Sequence, residues 1–150
     1  MDVVDTLDRV EHLEVLAGVP LFTGLSVADL ESIADVTSLR ALGPDDRVFA
    51  QGDPGDEMLI VVEGGVDVIR RGPDGSRHLA SLGPGGVVGE LSIFRRLPRS
   101  ADVVAGSDGV TCLVIGARTL EHILQERPQV ALGMLAALAD KIAVATAPTG

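Results

Sequence analysis

The stretch Gly89-Glu90-Leu91-Ser92-Ile93-Phe94-Arg95-Arg96-Leu97-Pro98-Arg99-Ser100-Ala101 decides how the rest of this chain is read. It places a carboxylate, a turn of helix and an arginine within reach of one small anion. Gly89 can take backbone angles closed to other residues and puts no side chain in the way of a ligand. Glu90 to Phe94 has the composition of a short helix that must stop before Pro98, because proline disfavours helical geometry at Leu97. So short a helix leaves most of its first amide hydrogens without internal acceptors, and such amides attract anions. Arg99 supplies a planar fork of donors matched to two phosphate oxygens, and Ser100 adds a hydroxyl and another amide. Glu90 is an acceptor, repelled by phosphate but suited to sugar hydroxyls. One ligand class needs both ends: a sugar phosphate whose hydroxyl lies close to its anionic group.

Outward from this stretch, the chain breaks into short strand-like runs separated by turn residues. The runs are Thr37–Leu42, Val48–Gln51, Met58–Glu63, Val66–Arg71, Arg77–Leu82, Ala101–Ala105 and Val110–Ile115. Between them lie Gly43-Pro44-Asp45-Asp46, Gly52-Asp53-Pro54-Gly55, Gly64-Gly65, Gly72-Pro73-Asp74-Gly75, Gly83-Pro84-Gly85-Gly86 and Gly106-Ser107-Asp108-Gly109. Strands of this length and spacing predict an antiparallel sandwich or barrel. Seven strands and the central stretch make an eight-stranded jelly-roll β-barrel the natural count, and closure would remove most exposed edges.

Helices flank this region. Leu7, Val10, Leu13 and Leu16 recur on one face from Thr6 to Gly18, and Ser26 with Asp29 reads as the N-cap pair of a second helix carrying Leu30, Ile33 and Ala34. After the strands, Ala117 opens a helix that ends near Pro128, and a longer one follows to Ala145. The latter is apolar over a wide face (Val130, Ala131, Met134, Leu135, Leu138, Ile142, Val144), which needs cover from the barrel, a ligand or a second subunit. The expected organisation is a single domain, 1–150: N-terminal helices at 6–35, a β-roll at 37–116 and C-terminal helices at 117–145. No internal repeat is apparent, and residues 146–150 read as an unstructured tail.

Composition narrows the function. Hydrophobic residues make up 46% of the 150, ample for a core, but the aromatics are only Phe22, Phe49 and Phe94. A formal charge of −10 and the absence of Trp and Tyr exclude a phosphate backbone as partner and a stacking platform for single strands. Cys112, the one cysteine, sits in an apolar run and reads as a small buried hydrophobe in a reducing compartment. The chain begins without a signal-peptide pattern and carries no apolar run long enough to span a membrane, so a cytoplasmic protein is expected. His12, His78 and His122 lack metal-type spacing, and only His78 falls on an expected strand. No catalytic residue, metal ligand or cofactor is therefore expected, and the protein reads as a non-enzyme.

The central stretch closely resembles the phosphate-binding cassette of cyclic nucleotide-binding domains, the modules of bacterial catabolite activator proteins, protein kinase A regulatory subunits and cyclic-nucleotide-gated channels. Gly52-Asp53-Pro54-Gly55-Asp56 before Met58–Gly64 resembles that family's glycine-containing turn and following strand. Pro20-Leu21-Phe22 before Leu25-Ser26 resembles its N-terminal helical lead-in, so the resemblance covers residues 12 to 145. It implies that Glu90 accepts the ribose 2'-hydroxyl, that Arg99 holds the cyclic phosphate and that Ser100 adds a contact. Gly89, Leu91, Ser92 and Ala101 complete the ligand-binding set.

The resemblance further implies a regulatory sensor for a cyclic nucleotide, cyclic AMP favoured over cyclic GMP, in which phosphate capture draws the C-terminal helix over the base. The output would lie in an effector domain on a longer chain or in another protein, and the C-terminal helix could pair two copies. Asp102 departs from the pattern, where Thr or an aromatic is often found, and its carboxylate would compete for Arg99 and lower affinity if it pointed inward. Arg95 and Arg96 read as solvent-facing charges, and Gly52 equally as a turn residue or a ligand contact. Two other readings stay open: a nucleotide-free dimerisation module with a vestigial cassette, and a cupin-like enzyme.

Overall fold

The computed structural model describes residues 3–90 and 97–146. Leu91 and Ser92, with the rest of the expected cassette helix and Arg95 and Arg96, lie outside the described residues, as do residues 147–150 of the expected tail. The contacts divide the chain into two compact units, Val36–Thr119 and Met1–Asp35 with Leu120–Gly150.

The first unit is an antiparallel sheet. Its strands are β1 (Ser38–Leu42), β2 (Arg47–Phe49), β3 (Glu57–Gly72), β4 (Gly75–Leu82), β5 (Val87–Val88) and β6 (Asp102–Gly116). The order is β1-β6-β3-β4, with β2 also on β6 and β5 also on β3. The expected jelly roll of antiparallel strands with flanking helices is therefore present, with six strands among the described residues instead of eight. The difference has a physical cause. Gly64-Gly65 and Gly106–Gly109 were expected to end strands, yet β3 and β6 run through them as single long strands, and each had counted twice. Gly64 pairs with Val110 but Val66 pairs with Ala105, so β6 makes a four-residue excursion at 106–109 where the ladder bends. Gly64 and Gly109 have φ of +73° and +74°, and a Cβ on Gly64 would collide with the Gly109 carbonyl. Glycine here turns a corner within the sheet. The two-residue β5 escaped the sequence reading because Val87-Val88 is too short to show a period.

β3 and β6 form the backbone of this unit because they carry its densest β-branched sequence. From Met58 to Val62 every residue of β3 is buried. Leu59, Val61, Val66, Val88, Val103, Ala105, Val110, Cys112 and Val114 form one apolar cluster, with Phe49, Val68 and Leu82 packed against it. Cys112 is buried, and burial raises its thiol pKa, as a small apolar residue would suggest.

The second unit is helical: α1 (Val3–Ala17), a 3-10 turn at Pro20–Phe22, α2 (Val27–Ala34), most of α3 (Ala117–Glu126) and α4 (Pro128–Thr146). Ser26 caps α2 as its sequence implied, its Oγ accepting from the Asp29 amide at 3.1 Å. Asp29 itself is buried, and its Oδ1 accepts from Arg127 Nη1 at 3.0 Å and from Gln129 Nε2 at 3.2 Å. One acid thus fastens α2 to the α3–α4 corner. α4 has two characters: Val130 and Met134 are buried, while Leu132, Leu135 and Ile142 are 61–67% exposed. No helix among the described residues is long and apolar enough to cross a membrane.

Candidate functional site

A cavity of about 470 Å³ opens on the sheet unit, and Gly89, Glu90, Arg99, Ser100 and Ala101 all line it. Five of the seven expected site residues thus come together from two separate segments; Leu91 and Ser92 are in the part not described. Val88, Phe49 and Val103 provide its apolar wall. Gly89 follows β5 and Ala101 precedes β6, so the sheet sets the distance between the segments.

Arg99 is the centre of the site. It is 7% exposed, one of few buried charged residues among the described residues. Its Nη2 donates to the Glu57 carbonyl at 2.8 Å, and its guanidinium carbon lies 3.6 Å from the centroid of the Phe49 ring. A guanidinium tolerates such a seat because its charge is delocalised and weakly hydrated, and its face stacks well on an aromatic ring. Burial draws its pKa down, opposed by the charges of Glu57 and Asp56. Arginine still remains a cation at neutral pH.

Gly89 makes that seat possible. Its φ is +83°, and a Cβ there would lie 2.6 Å from both Arg99 Nη1 and the Glu57 carbonyl oxygen. Only a residue without a side chain lets this main chain approach the guanidinium. The glycine-containing turn contributes main chain too. The Gly52 amide donates to the Arg99 carbonyl at 2.8 Å, and the Arg99 amide donates to the Asp53 carbonyl at 2.7 Å.

Asp102 does not compete for Arg99. Its carboxylate accepts from the Gln51 amide at 2.7 Å and from Arg71 Nε at 2.8 Å. The question the sequence leaves open is decided by β3, which brings Arg71 across from 31 residues away. Phe49 was also missed as a site residue. The signal was present: a chain with three Phe places one just before the glycine-containing turn.

A second cavity, of about 360 Å³, lies at the glycine corner and is lined by Gly64, Gly65, Asp67, Ser81, Gly106 and Asp108 among others. The fold gathers Ser81, His78 and Asp67 beside it, a set invisible in the sequence. Ser81 Oγ donates to Asp67 Oδ1 at 2.6 Å, and His78 Nε2 lies 3.0 Å from Ser81 Oγ and 3.3 Å from Asp67 Oδ1. One ring nitrogen faces both partners and the hydroxyl proton already goes to the acid. A nucleophile needs its hydroxyl directed at the base, so this is not a catalytic relay. Among the described residues no group of three or more His, Cys, Asp or Glu is placed to hold a metal ion.

A buried cation in a cavity that an acid also lines is chemistry for holding an anion that also bears hydroxyls. The family model described as cyclic nucleotide-binding domain matches residues 39–127, more than half of the chain. A CRP-like cAMP-activated global transcriptional regulator of Mycobacterium tuberculosis is 29% identical over 86% of this chain and 58% of its own length. The chain spans less than two thirds of the curated relatives it matches. Among solved structures, the N-terminal domain of a transcriptional regulator from Streptomyces coelicolor superposes with a TM-score of 0.84 at 35% identity, covering 91% of this chain and 97% of that one. A cyclic nucleotide-binding domain from Methylobacillus flagellatus gives 0.79 at 28% identity, covering 92% and 78%.

Proposed function

The chain belongs to the cyclic nucleotide-binding domain family, and from that premise we propose that it is a regulatory sensor that binds a cyclic nucleoside monophosphate, cyclic AMP in preference to cyclic GMP. The observation that carries this reading is the buried Arg99 guanidinium, seated against Gly89 and Phe49 at the wall of the larger cavity. Arg99 holds the cyclic phosphate through its fork of donors, and Glu90 takes the ribose hydroxyl from the rim. Gly89, Ser100 and Ala101 line the ligand with main chain and small side chains, and Leu91 and Ser92 complete the proposed binding set. The apolar wall of Val88 and Val103 suits the sugar and base. No cofactor is required, and the role is regulatory, with no reaction catalysed.

Binding is coupled to the C-terminal helix α4. A ligand shifts such an equilibrium only by its differential affinity for two arrangements, typically about 1–3 kcal/mol. The output then lies in an effector domain on a longer chain or in another cytoplasmic protein. Calorimetric titration with cyclic AMP, cyclic GMP and cyclic di-GMP tests the reading: cyclic AMP binds tightest, and no heat with any of the three refutes it. Identical hydrogen exchange in α4 with and without saturating ligand refutes the coupling.

The exposed Leu132, Leu135 and Ile142 on α4 favour one second reading, a module that pairs two copies of the chain without nucleotide. Light scattering beside the same calorimetry separates the two, since a dimer that gives no heat belongs to this reading alone.

A further inference from the structure

The wall of the larger cavity has an interruption in its hydrogen-bond ladder. β2 pairs with β6 through Arg47 with Val104 and Phe49 with Val103, with a register shift between the pairs. Pairing resumes beyond, where Gly52 and Asp53 take both main-chain bonds of Arg99 and Pro54 bridges Pro98. In between, the Gln51 amide donates to a side chain, Asp102 Oδ1, at 2.7 Å. The same carboxylate accepts from Arg71 Nε at 2.8 Å on Oδ2 and from Arg71 Nη2 at 3.3 Å on Oδ1. Gln51 is then fastened a second time. Its Nε2 donates to the Arg71 carbonyl at 2.9 Å, and its Oε1 accepts from the Arg71 amide at 2.7 Å. The Asp102 side chain is 7% exposed and that of Arg71 52%. The acid is the inner member of the cluster, and the arginine closes it from the solvent side.

We propose that Asp102 is a positioning residue for the anion site: it replaces the missing ladder acceptor at Gln51, anchors the 51–53 turn, and through that turn fixes the main chain of Arg99 and the aim of its guanidinium. The functional half of this inference rests on the ligand reading above. Asp102 touches no ligand in this role. It matters because a guanidinium recognises phosphate by the direction of its fork, and a shift of the main chain at residue 99 redirects every donor. A carboxylate suits the position because it can serve the Gln51 amide and Arg71 together, which a main-chain carbonyl cannot do with the same charge.

The test uses the full chain and measures two things for the wild type, Asp102→Ala, Asp102→Asn and Arg71→Met: amide exchange without ligand, and calorimetric affinity for cyclic AMP. Alanine strands the Gln51 amide, whereas asparagine keeps an oxygen for it and gives up only the ion pair. In Asp102→Ala the amides of Gln51, Gly52 and Arg99 should exchange about tenfold faster while those of Leu113 and Cys112 keep their rates, and Kd should rise about tenfold. Asp102→Asn should recover most of both effects, and Arg71→Met, altered on the solvent side, should fall between. Unchanged exchange at Gly52 and Arg99 overturns the clamp, and faster exchange with unchanged Kd overturns the positioning role. If Asp102→Ala does not fold, the same overturning outcomes are read from Arg71→Met, which should show an intermediate effect on both measurements. A wild-type chain that gives no heat with cyclic AMP refutes the ligand reading and the functional half of this one, while the exchange measurement decides the clamp by itself.

Discussion

Two hollows of similar size open on one sheet, about 470 and 360 Å³, and they differ in what a glycine makes room for. At the first, Gly89 at φ +83° lets a charged side chain, Arg99, nest against the main chain. At the second, Gly64 and Gly109 let two strands approach each other at a bend, and the lining carboxylates of Asp67 and Asp108 repel an anion. The volumes are of the same order, and the smaller hollow is the richer in glycine. The buried cation is what separates a candidate binding site from a structural corner.

The sharpest way to break this contrast is Arg99→Leu. Removing one partner of a buried, hydrogen-bonded charge pair costs about 2–5 kcal/mol, so calorimetry should show cyclic AMP affinity falling by that amount. An unchanged dissociation constant would make the two hollows equivalent. The next largest effect comes from the same substitution in both places. Gly89→Ala and Gly64→Ala each force a side chain into a positive-φ position at a cost of about 1–3 kcal/mol. The first should weaken ligand binding strongly, because its Cβ reaches Arg99 Nη1. The second should lower the unfolding free energy in denaturant titration while the folded fraction keeps its affinity within about twofold.

A smaller effect concerns acid. The Gln51 amide, with Arg71 adding to it, holds the Asp102 carboxyl below the usual carboxylate range. A depressed carboxyl pKa contributes stability that is complete above the unfolded value of about 3.9 and is lost as pH falls through the folded one. Thermal melting from pH 7 downward should therefore show a fall in the wild type below about pH 4 that is shallower in Asp102→Asn; equal slopes would deny the depression. The smallest effect is expected at the other hollow. Asp67→Ala removes the partner of Ser81 and His78 at an exposed position, so stability should change by no more than about 0.5 kcal/mol and cyclic AMP affinity not at all. A loss of affinity there would relocate the site.

Much of this was legible along the chain because the signals are local. Ser26 capped the helix it was expected to cap, Pro128 opened the last helix, and Gly89, Glu90 and Arg99, singled out by their spacing, line one cavity. Apart from the two-residue β5, what local signals left out depends on partners distant in sequence. Gly64 and Gly109 look like turn glycines until β3 and β6 are seen to run on through them, and the partner of Asp102 is undecided until β3 delivers Arg71.

Residue order alone therefore determined the jelly-roll class, the flanking helices and the arginine proposed to hold the anion, since periodicity, caps and donor geometry act over a few residues. Tertiary structure alone decided that this arginine rests on Phe49 and the Glu57 carbonyl, that Gly89 must lack a side chain, and that Asp102 bonds Gln51 and Arg71. Those facts depend on β-pairings between segments tens of residues apart, where hydrogen-bond register and burial select partners that no local pattern encodes.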